Sequence, residues 1–193
     1  QRGEVLAASI NNDILAIVSS TDDMKVSIMS EGYKMITIPI TDTKIVKHDS
    51  GTTIALIRGV IDGLKRKGHV TGGFNAYVTS DVLRGSGLSS SAAFETLIGT
   101  IENGLYNNNS IDAVEIAEIG QYAENIHFGK PCGLMDQMAC SVGSLCHINF
   151  INPENPFVEK VDFDFENAGY SLCITDTKGS HADLTDDYAA IPA

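Results

Sequence analysis

Short runs of hydrophobic residues, separated by turn-forming residues, dominate the first forty positions of the chain. The turns include Ser-Glu-Gly at 30–32. Such a pattern is typical of β-strands joined by tight connections. It predicts strands at 13–19, 24–29 and 35–40, and the residues from Val5 to Ala8 are strand-like as well.

From residue 52 onward the spacing of the apolar residues becomes helical. Between Thr52 and Lys67 they recur at intervals of three and four residues, and Gly68 follows as a stop signal. Further helices are predicted at 91–105, at 112–127 and, beyond a Gly-Lys-Pro break, at about 134–141. Strands are predicted at 74–80, 144–150, 157–163 and 170–176. Helices and strands do not alternate strictly, which favours an α+β fold with a mixed sheet packed against helices over a doubly wound sheet.

Length and charge narrow the possible functions. The 193 residues, 43% of them hydrophobic, suffice for one large domain or most of a two-domain protein with a buried core. A formal net charge of −12 argues against nucleic acid or an acidic membrane as a partner, because both require a basic face. A phosphate-bearing ligand would therefore be held by backbone N–H groups, a metal ion or a few placed cations.

Nothing in the sequence indicates targeting or membrane insertion. No apolar run is as long as a bilayer span, and there is no signal peptide. Four cysteines without a CxxC pair or zinc-like spacing predict buried thiols in a reducing compartment, and hence a cytoplasmic protein. The chain begins at Gln1 without a Met and stops at Ala193 just after an apparent helix start, so we expect a piece of a longer protein.

The stretch RGSGLSSSAAFE at 84–95 places two glycines and three serines between a predicted strand and a predicted helix. Glycines let the backbone approach a ligand closely, and free N–H groups at a helix start attract anions. The stretch is not a GxxxxGK[ST] phosphate loop, since it lacks the lysine, nor a GxGxxG loop, because Ser90 stands at the third glycine. Two interpretations fit it: a phosphate cradle with Ser91 as a Mg²⁺ ligand, or a flexible loop with a serine N-cap.

Two carboxylates are predicted on helix faces that are otherwise small or apolar. Glu124 shares its face with alanines and Gly120, where a buried carboxylate needs a partner. Metal ligation would supply one; the alternatives are a helix side turned to water, or an ion pair. Asp136 is either hydrogen-bonded structure or a general base held near a substrate. Gly133, one turn before it, would permit close approach of a ligand.

Together these segments resemble the GHMP family of small-molecule kinases, and within it the galactokinases. GSGLSSSAA resembles the second motif of the family, its phosphate loop. AENIHFGKPCGLMDQ resembles the stretch that runs from the metal-binding Glu to the catalytic Asp. QRGEVLAASIN resembles the stretch after the sugar-binding part of the first motif, and DTKGSHADLTDDY the segment that ends in a sugar-contacting Tyr. The matches keep the family's order over nearly the whole chain.

The resemblance implies an N-terminal domain of the kind shared with ribosomal protein S5, and transfer of phosphate from ATP to O1 of galactose to give galactose 1-phosphate. Asp136 would activate the O1 hydroxyl and contact the sugar, with Gly133 and Tyr188 as further galactose-binding residues. Ser91 and Glu124 would hold Mg²⁺. The phosphates of the nucleotide would lie against the loop residues Gly85, Ser86, Gly87, Leu88, Ser89, Ser90 and Ser91.

The sequence departs from the family pattern before the phosphate loop and at both ends of the chain. Leu83-Arg84 stands where the family usually has a proline before Gly-Ser-Gly, and Arg84 either reaches a phosphate or points to solvent. Residues 1–193 would form the N-terminal domain without the Arg and Glu-His-Asp part of the first motif and without the C-terminal domain. The fragment alone would then be weakly active or inactive. The alternatives are a GHMP kinase for another sugar, mevalonate or homoserine, a non-catalytic relative that senses galactose and ATP, and a structural domain whose loop binds nothing.

Overall fold

The structure, a computed structural model, describes residues 3–82 and 87–175. Within these residues, seven strands and four α-helices follow one another in mixed order. The strands are β1 (Glu4–Ala8), β2 (Ile14–Thr21), β3 (Lys25–Ser30), β4 (Ile36–Pro39), β5 (Gly73–Ser80), β6 (Leu145–Asn149) and β7 (Phe157–Lys160). The α-helices are α1 (Thr53–Arg66), α2 (Ser90–Tyr106), α3 (Ala113–Tyr122) and α4 (Met135–Val142).

The strands form two separate sheets. A four-stranded sheet has the order β2-β5-β3-β4, in which β3 and β5 are parallel and the other neighbours antiparallel. A three-stranded antiparallel sheet has the order β1-β6-β7. Because one parallel pair occurs among antiparallel ones, and the helices cluster between strands rather than alternating with them, the predicted α+β class is confirmed.

The main hydrophobic core lies between the four-stranded sheet and helices α1 to α3. Alternate residues of β3 and β5 point toward the helices, as the twofold period of a strand requires. They meet the apolar stripe of α1, which was predicted from its three- and four-residue spacing. The buried set on these elements is Val26, Ile28, Phe74, Ala76, Val78, Ile57, Val60, Ile61 and Leu64.

A smaller core joins α4 to the three-stranded sheet. Met138 of α4 is fully buried against Cys146 and Ile148 of β6, and Ala117 of α3 completes the cluster. Helix α3 therefore contacts both cores, and α4 is held between α3 and the second sheet. This arrangement places the start of α4 beside the start of α2, where the candidate site lies.

Three predicted elements differ from the structure. The strand expected at 157–163 already ends at Lys160. The helix expected at 112–127 is α-helical only to Tyr122 and continues as a π-helical segment, Ala123–Phe128, that Gly129 ends with a φ of +83°. The strand expected at 170–176 is absent from residues 170–175, and residue 176 lies outside the described part. Its apolar residues Tyr170, Leu172 and Ile174 are exposed. A strand needs a neighbouring ladder for its backbone hydrogen bonds, and the described residues provide none for this segment.

The four cysteines are free, but only Cys146 is buried as expected. Cys132 and Cys140 are half-buried, and Cys173 is exposed because it lies in the unpaired segment after residue 170. Within the described residues, no helix has the length and apolar character needed to cross a bilayer.

Asp62 of α1 ties this helix to its surroundings. Its carboxylate accepts hydrogen bonds from the hydroxyls of Thr43 (2.7 Å) and Tyr122 (2.6 Å) and from Arg66 (2.6 Å), while His127 lies 3.4 Å away. Burial alone would raise the pKa of Asp62, but these hydrogen bonds outweigh it and lower the pKa from 3.8 to about 2.

We expect the stability contributed by Asp62 to depend on acid pH. Because its folded pKa lies below its unfolded one, ionised Asp62 stabilises the fold above about pH 4, and the contribution is lost as the pH falls toward 2. An Asp62→Asn variant should therefore be less stable than the wild type by about 2 kcal/mol at pH 7. Urea unfolding of both proteins between pH 2 and 7 measures the difference, which should shrink at the acid end. A difference that stays constant over this range would contradict the role of the ionised carboxylate.

Candidate active site

The end of the Gly/Ser loop, our name for residues 85–91, adopts an uncommon backbone conformation. Gly87 has a φ of +79°, and Ser89, the residue before α2, has φ 59° and ψ 46°, in the left-handed region that L residues rarely adopt. The Ser89 side chain does not cap α2; its hydroxyl donates to Asp136 Oδ2 at 2.7 Å. The strained residue is thus held in place by the start of α4.

A second serine–carboxylate contact lies two residues further on. The hydroxyl of Ser91 donates to Glu124 Oε1 at 3.0 Å. Glu124 comes from the π-helical segment and is only 3% exposed. The ammonium of Lys130, which is partly exposed, lies 3.6 Å from the same oxygen. The alternative in which this side of the helix faces water is therefore wrong, and Glu124 is a buried carboxylate with polar partners.

Gln137 connects the second oxygen of Glu124 to another buried carboxyl group. Its side-chain nitrogen lies 2.8 Å from Glu124 Oε2 and 3.0 Å from Glu95 Oε2. Gln137 is 0% and Glu95 is 1% exposed, so the network is closed to solvent. Gly120 of α3 leaves the necessary room, because a Cβ at this position would lie 3.2 Å from both Gln137 Cγ and Glu95 Oε2.

The loop that follows the π-helical segment is folded back onto it. Asn125 Oδ1 accepts from the backbone N–H of Cys132 at 2.7 Å, and the side-chain amide of Gln121 donates to the Cys132 carbonyl at 3.2 Å. The N–H groups of Gly129 and Lys130 both donate to the carbonyl of Glu124. π-Helical turns often occur at functional sites. Here the turn and these hydrogen bonds together set the position of the Glu124 side chain.

A cavity of about 560 Å³ lies between the connection from β1 to β2 and helices α2 and α4. Gly87, Leu88, Ser89 and Asp136 border it, together with apolar residues of α2 and α4. The pair Ser91 and Glu124 is not among the residues that line the cavity. Asp136 is thus accessible from a space large enough for a small molecule, while Glu124 lies deeper in the protein.

The electrostatics of the site follow from its burial. Burial, followed by the negative charge of nearby Glu124, raises the pKa of Glu95 to about 9. Glu95 is therefore neutral at pH 7. Burial, followed by the charge of Asp136, raises the pKa of Cys140 to about 11, and burial beside Glu124 also raises the pKa of Cys132. Both thiols are protonated and unreactive at neutral pH.

The oxygens of Ser91 and Glu124 have a spacing that two neighbouring ligands of a magnesium ion would also have. Mg²⁺ takes oxygen ligands at 2.0–2.1 Å in octahedral geometry, so neighbouring ligand oxygens lie about 2.9 Å apart. The observed 3.0 Å between Ser91 Oγ and Glu124 Oε1 fits this spacing. Residues 3–82 and 87–175 contain no group of three or more His, Cys, Asp or Glu side chains that could hold a metal ion. Phosphate oxygens would have to complete the shell.

The structure brings most of the predicted site residues to one place. Gly87, Leu88, Ser89, Ser90 and Ser91 lie at the start of α2, next to Glu124 and Asp136. Gly133 is exposed in the turn before α4 and does not line the cavity. Arg84, Gly85, Ser86 and Tyr188 lie outside the described residues.

Three residues of this network were not singled out from the sequence: Glu95, Lys130 and Gln137. Each had a signal. Glu95 is one helical turn after Ser91, Gln137 directly follows Asp136, and Lys130 lies in the loop between Glu124 and Asp136. The roles of all these residues in binding or catalysis stay predictions.

Comparisons with known proteins agree with this arrangement of elements. Residues 55–144 match the family model described as the GHMP kinases N terminal domain. The match begins inside α1 and includes the Gly/Ser loop and helices α2, α3 and α4. This segment of the chain therefore belongs to the GHMP kinase N-terminal domain family.

Among individual relatives, the galactokinase of Clostridium tetani is 35% identical over 143 residues, which are 73% of this chain and 36% of that protein. The crystal structure of Lactococcus lactis galactokinase complexed with galactose has a TM-score of 0.73 at 24% identity, covering 85% of this chain and 43% of that one. The Methanococcus jannaschii mevalonate kinase has a TM-score of 0.70 at 16% identity, covering 98% and 60%. The chain thus spans roughly a third of the length of the curated galactokinase that it matches.

Proposed function

We propose that the chain is the N-terminal domain of a galactokinase, which transfers the γ-phosphoryl group of ATP to O1 of galactose. The observation that carries this proposal is the convergence at the start of α2, where Ser89 contacts Asp136 and Ser91 contacts Glu124. The 35% identity to a galactokinase supports the choice of sugar. The proposal includes a C-terminal domain that closes the site, and a cytoplasmic location.

In this proposal Asp136 receives the proton of the sugar hydroxyl. Ser89 holds Oδ2 of Asp136, which leaves Oδ1 to accept a hydrogen bond from the O1 hydroxyl at the cavity. As O1 forms its bond to the γ-phosphorus and ADP leaves, the proton passes to the Asp136 carboxylate. The products are galactose 1-phosphate and ADP. Gly133 and Tyr188 would bind the sugar.

The other half of the site would bind the nucleotide. The backbone N–H groups of residues 85–91 would contact its phosphates, at the positive end of the α2 dipole. Ser91 and Glu124 would hold Mg²⁺, which neutralises phosphate charge in a chain whose net charge is −12. Most of the rate enhancement would come from positioning and charge stabilisation, as is usual in phosphoryl transfer.

A substrate panel with the full-length protein tests the proposal. With ATP and Mg²⁺ we expect ADP release with galactose, and a product whose phosphorus NMR signal shows coupling to the anomeric proton. Phosphorylation of mevalonate or homoserine but not galactose would contradict the sugar assignment. Binding of galactose and ATP without turnover would favour a sensing relative.

Residues 1–193 alone should release ADP weakly or not at all, because half of the cleft is supplied by the rest of the kinase.

A further inference from the structure

The buried amide of Gln137 divides its two hydrogens between two carboxyl groups. The amide nitrogen lies 2.8 Å from Glu124 and 3.0 Å from Glu95, with the weaker acceptor Cys132 Sγ at 3.6 Å, and none of the residues Gln137, Glu95 and Glu124 is more than 3% exposed. Since water cannot replace a lost partner at such burial, the orientation of the Glu124 carboxylate depends on this bridge.

We propose that Gln137, anchored by Glu95, is a positioning residue that holds Glu124 Oε2 so that Oε1 faces Ser91 and the metal–nucleotide complex. This inference rests on the proposed function, because it assigns a role to residues behind the metal ligand. The metal itself is not contacted by Gln137 or Glu95. Their effect passes through Glu124, as for the outer partners of other ligating carboxylates.

The chemistry of an amide explains why glutamine suits this position. An amide supplies two N–H donors without charge, so it can hold two carboxyl groups and leave the negative charge of Glu124 available for a cation. A lysine or arginine in its place would neutralise that charge. The ammonium of Lys130 lies 3.6 Å from the other oxygen, and its side chain is 43% exposed, so a bound cation can displace it.

The position of Gln137 in the chain adds a second consequence. It directly follows Asp136 at the start of α4, whereas Glu124 comes from the segment after α3. The bridge therefore fixes the distance between the carboxylate that would receive the proton and the carboxylate that would hold the metal. Loss of the bridge should reduce metal affinity and kcat more than it changes KM for galactose.

Metal binding measured apart from turnover tests this role. In the full-length protein, Gln137→Met removes both donors and keeps the size of the side chain, and Glu95→Leu removes the anchor. Binding of Mn²⁺ together with ADP, followed by the electron paramagnetic resonance signal of free Mn²⁺, should weaken about tenfold or more in both. The Mg²⁺ concentration for half-maximal turnover should rise in parallel. Glu124→Gln gives the reference for loss of the metal ligand itself.

The same helix provides a matched control. Glu102 of α2 is as buried as Glu95, and its Oε2 accepts from the backbone N–H of Gly72 at 3.1 Å, away from Glu124. Glu102→Leu should affect stability but leave the affinity for Mn²⁺ with ADP unchanged. Glu95→Gln keeps an acceptor for Gln137 and should recover most of the affinity that Glu95→Leu loses.

The outcomes are distinguishable. Wild-type affinity in both Gln137→Met and Glu95→Leu, or an equal loss in Glu102→Leu, would overturn the positioning role. If these variants do not fold, Gly120→Ala, whose Cβ would push on both side chains at 3.2 Å, should still weaken Mn²⁺ binding several-fold, and an unchanged affinity there would overturn the role as well. If Glu124→Gln also binds like the wild type, the proposed metal site itself fails.

Discussion

Replacing Asp136 by Asn in the full-length protein is expected to lower kcat for galactose phosphorylation by about a thousandfold, within the range for loss of a general base. The change removes the proton acceptor and its charge. It preserves the shape and an oxygen that can accept from Ser89, so the strained start of α2 should stay in place. Galactose binding, measured by calorimetry, should stay within about tenfold of the wild type, since a neutral amide still forms hydrogen bonds to a hydroxyl.

A matched substitution separates this effect from a general loss of structure. Asp112 is the N-cap of α3 and accepts from the backbone N–H of Glu115 at 2.8 Å. Because Asn is as good an N-cap as Asp, Asp112→Asn should leave turnover within about twofold of the wild type. Unchanged turnover in Asp136→Asn would remove Asp136 from the role assigned to it. Equal losses in both variants would point to structural damage instead.

The sequence could predict the site as far as it depends on residue type and local spacing. The small residues around Glu124 left open whether this carboxylate is buried with a partner or turned to water, and the structure buries it. The glycines before α2 predicted a backbone that can turn sharply there, and Gly87 has a φ of +79°. Both signals lie within one or two turns of chain, where periodicity carries information.

The parts that could not be predicted depend on contacts between distant segments. The π-helical turn at Ala123–Phe128 occurs in a sequence that continues the helical pattern, and side-chain contacts of Asn125 with the loop at Cys132 accompany it. Gln137 meets Glu95 across 42 positions of chain, so neither residue revealed its partner. The predicted strand at 170–176 had the right alternation but met no partner strand among the described residues, and alternation alone does not form a ladder.

Replacing Gly59 by Ala is expected to destabilise the fold by about 1–3 kcal/mol, although alanine is the better helix former. Gly59 lies on α1 where this helix contacts the π-helical segment. A Cβ there would lie 2.7 Å from both Cα and Cβ of Ala123 and 3.0 Å from His127 Cβ. Backbone cannot rotate out of the way, so the two helical segments must separate. Chemical unfolding at pH 7 measures the loss.

Gly104 of α2 provides a control, because a Gly→Ala change there meets no close contact. It is exposed, and its Cβ would meet only the side-chain oxygen of Asn109, at an ordinary 3.5 Å. Gly104→Ala should therefore stabilise the protein by about 0.5–1 kcal/mol, the usual gain for this change inside a helix.

Since Ala123 adjoins Glu124, the separation caused by Gly59→Ala should also raise the Mg²⁺ concentration for half-maximal turnover, which Gly104→Ala should leave unchanged. A stabilised Gly59→Ala protein with normal Mg²⁺ dependence would show that the close contact between α1 and the π-helical segment is not what positions Glu124.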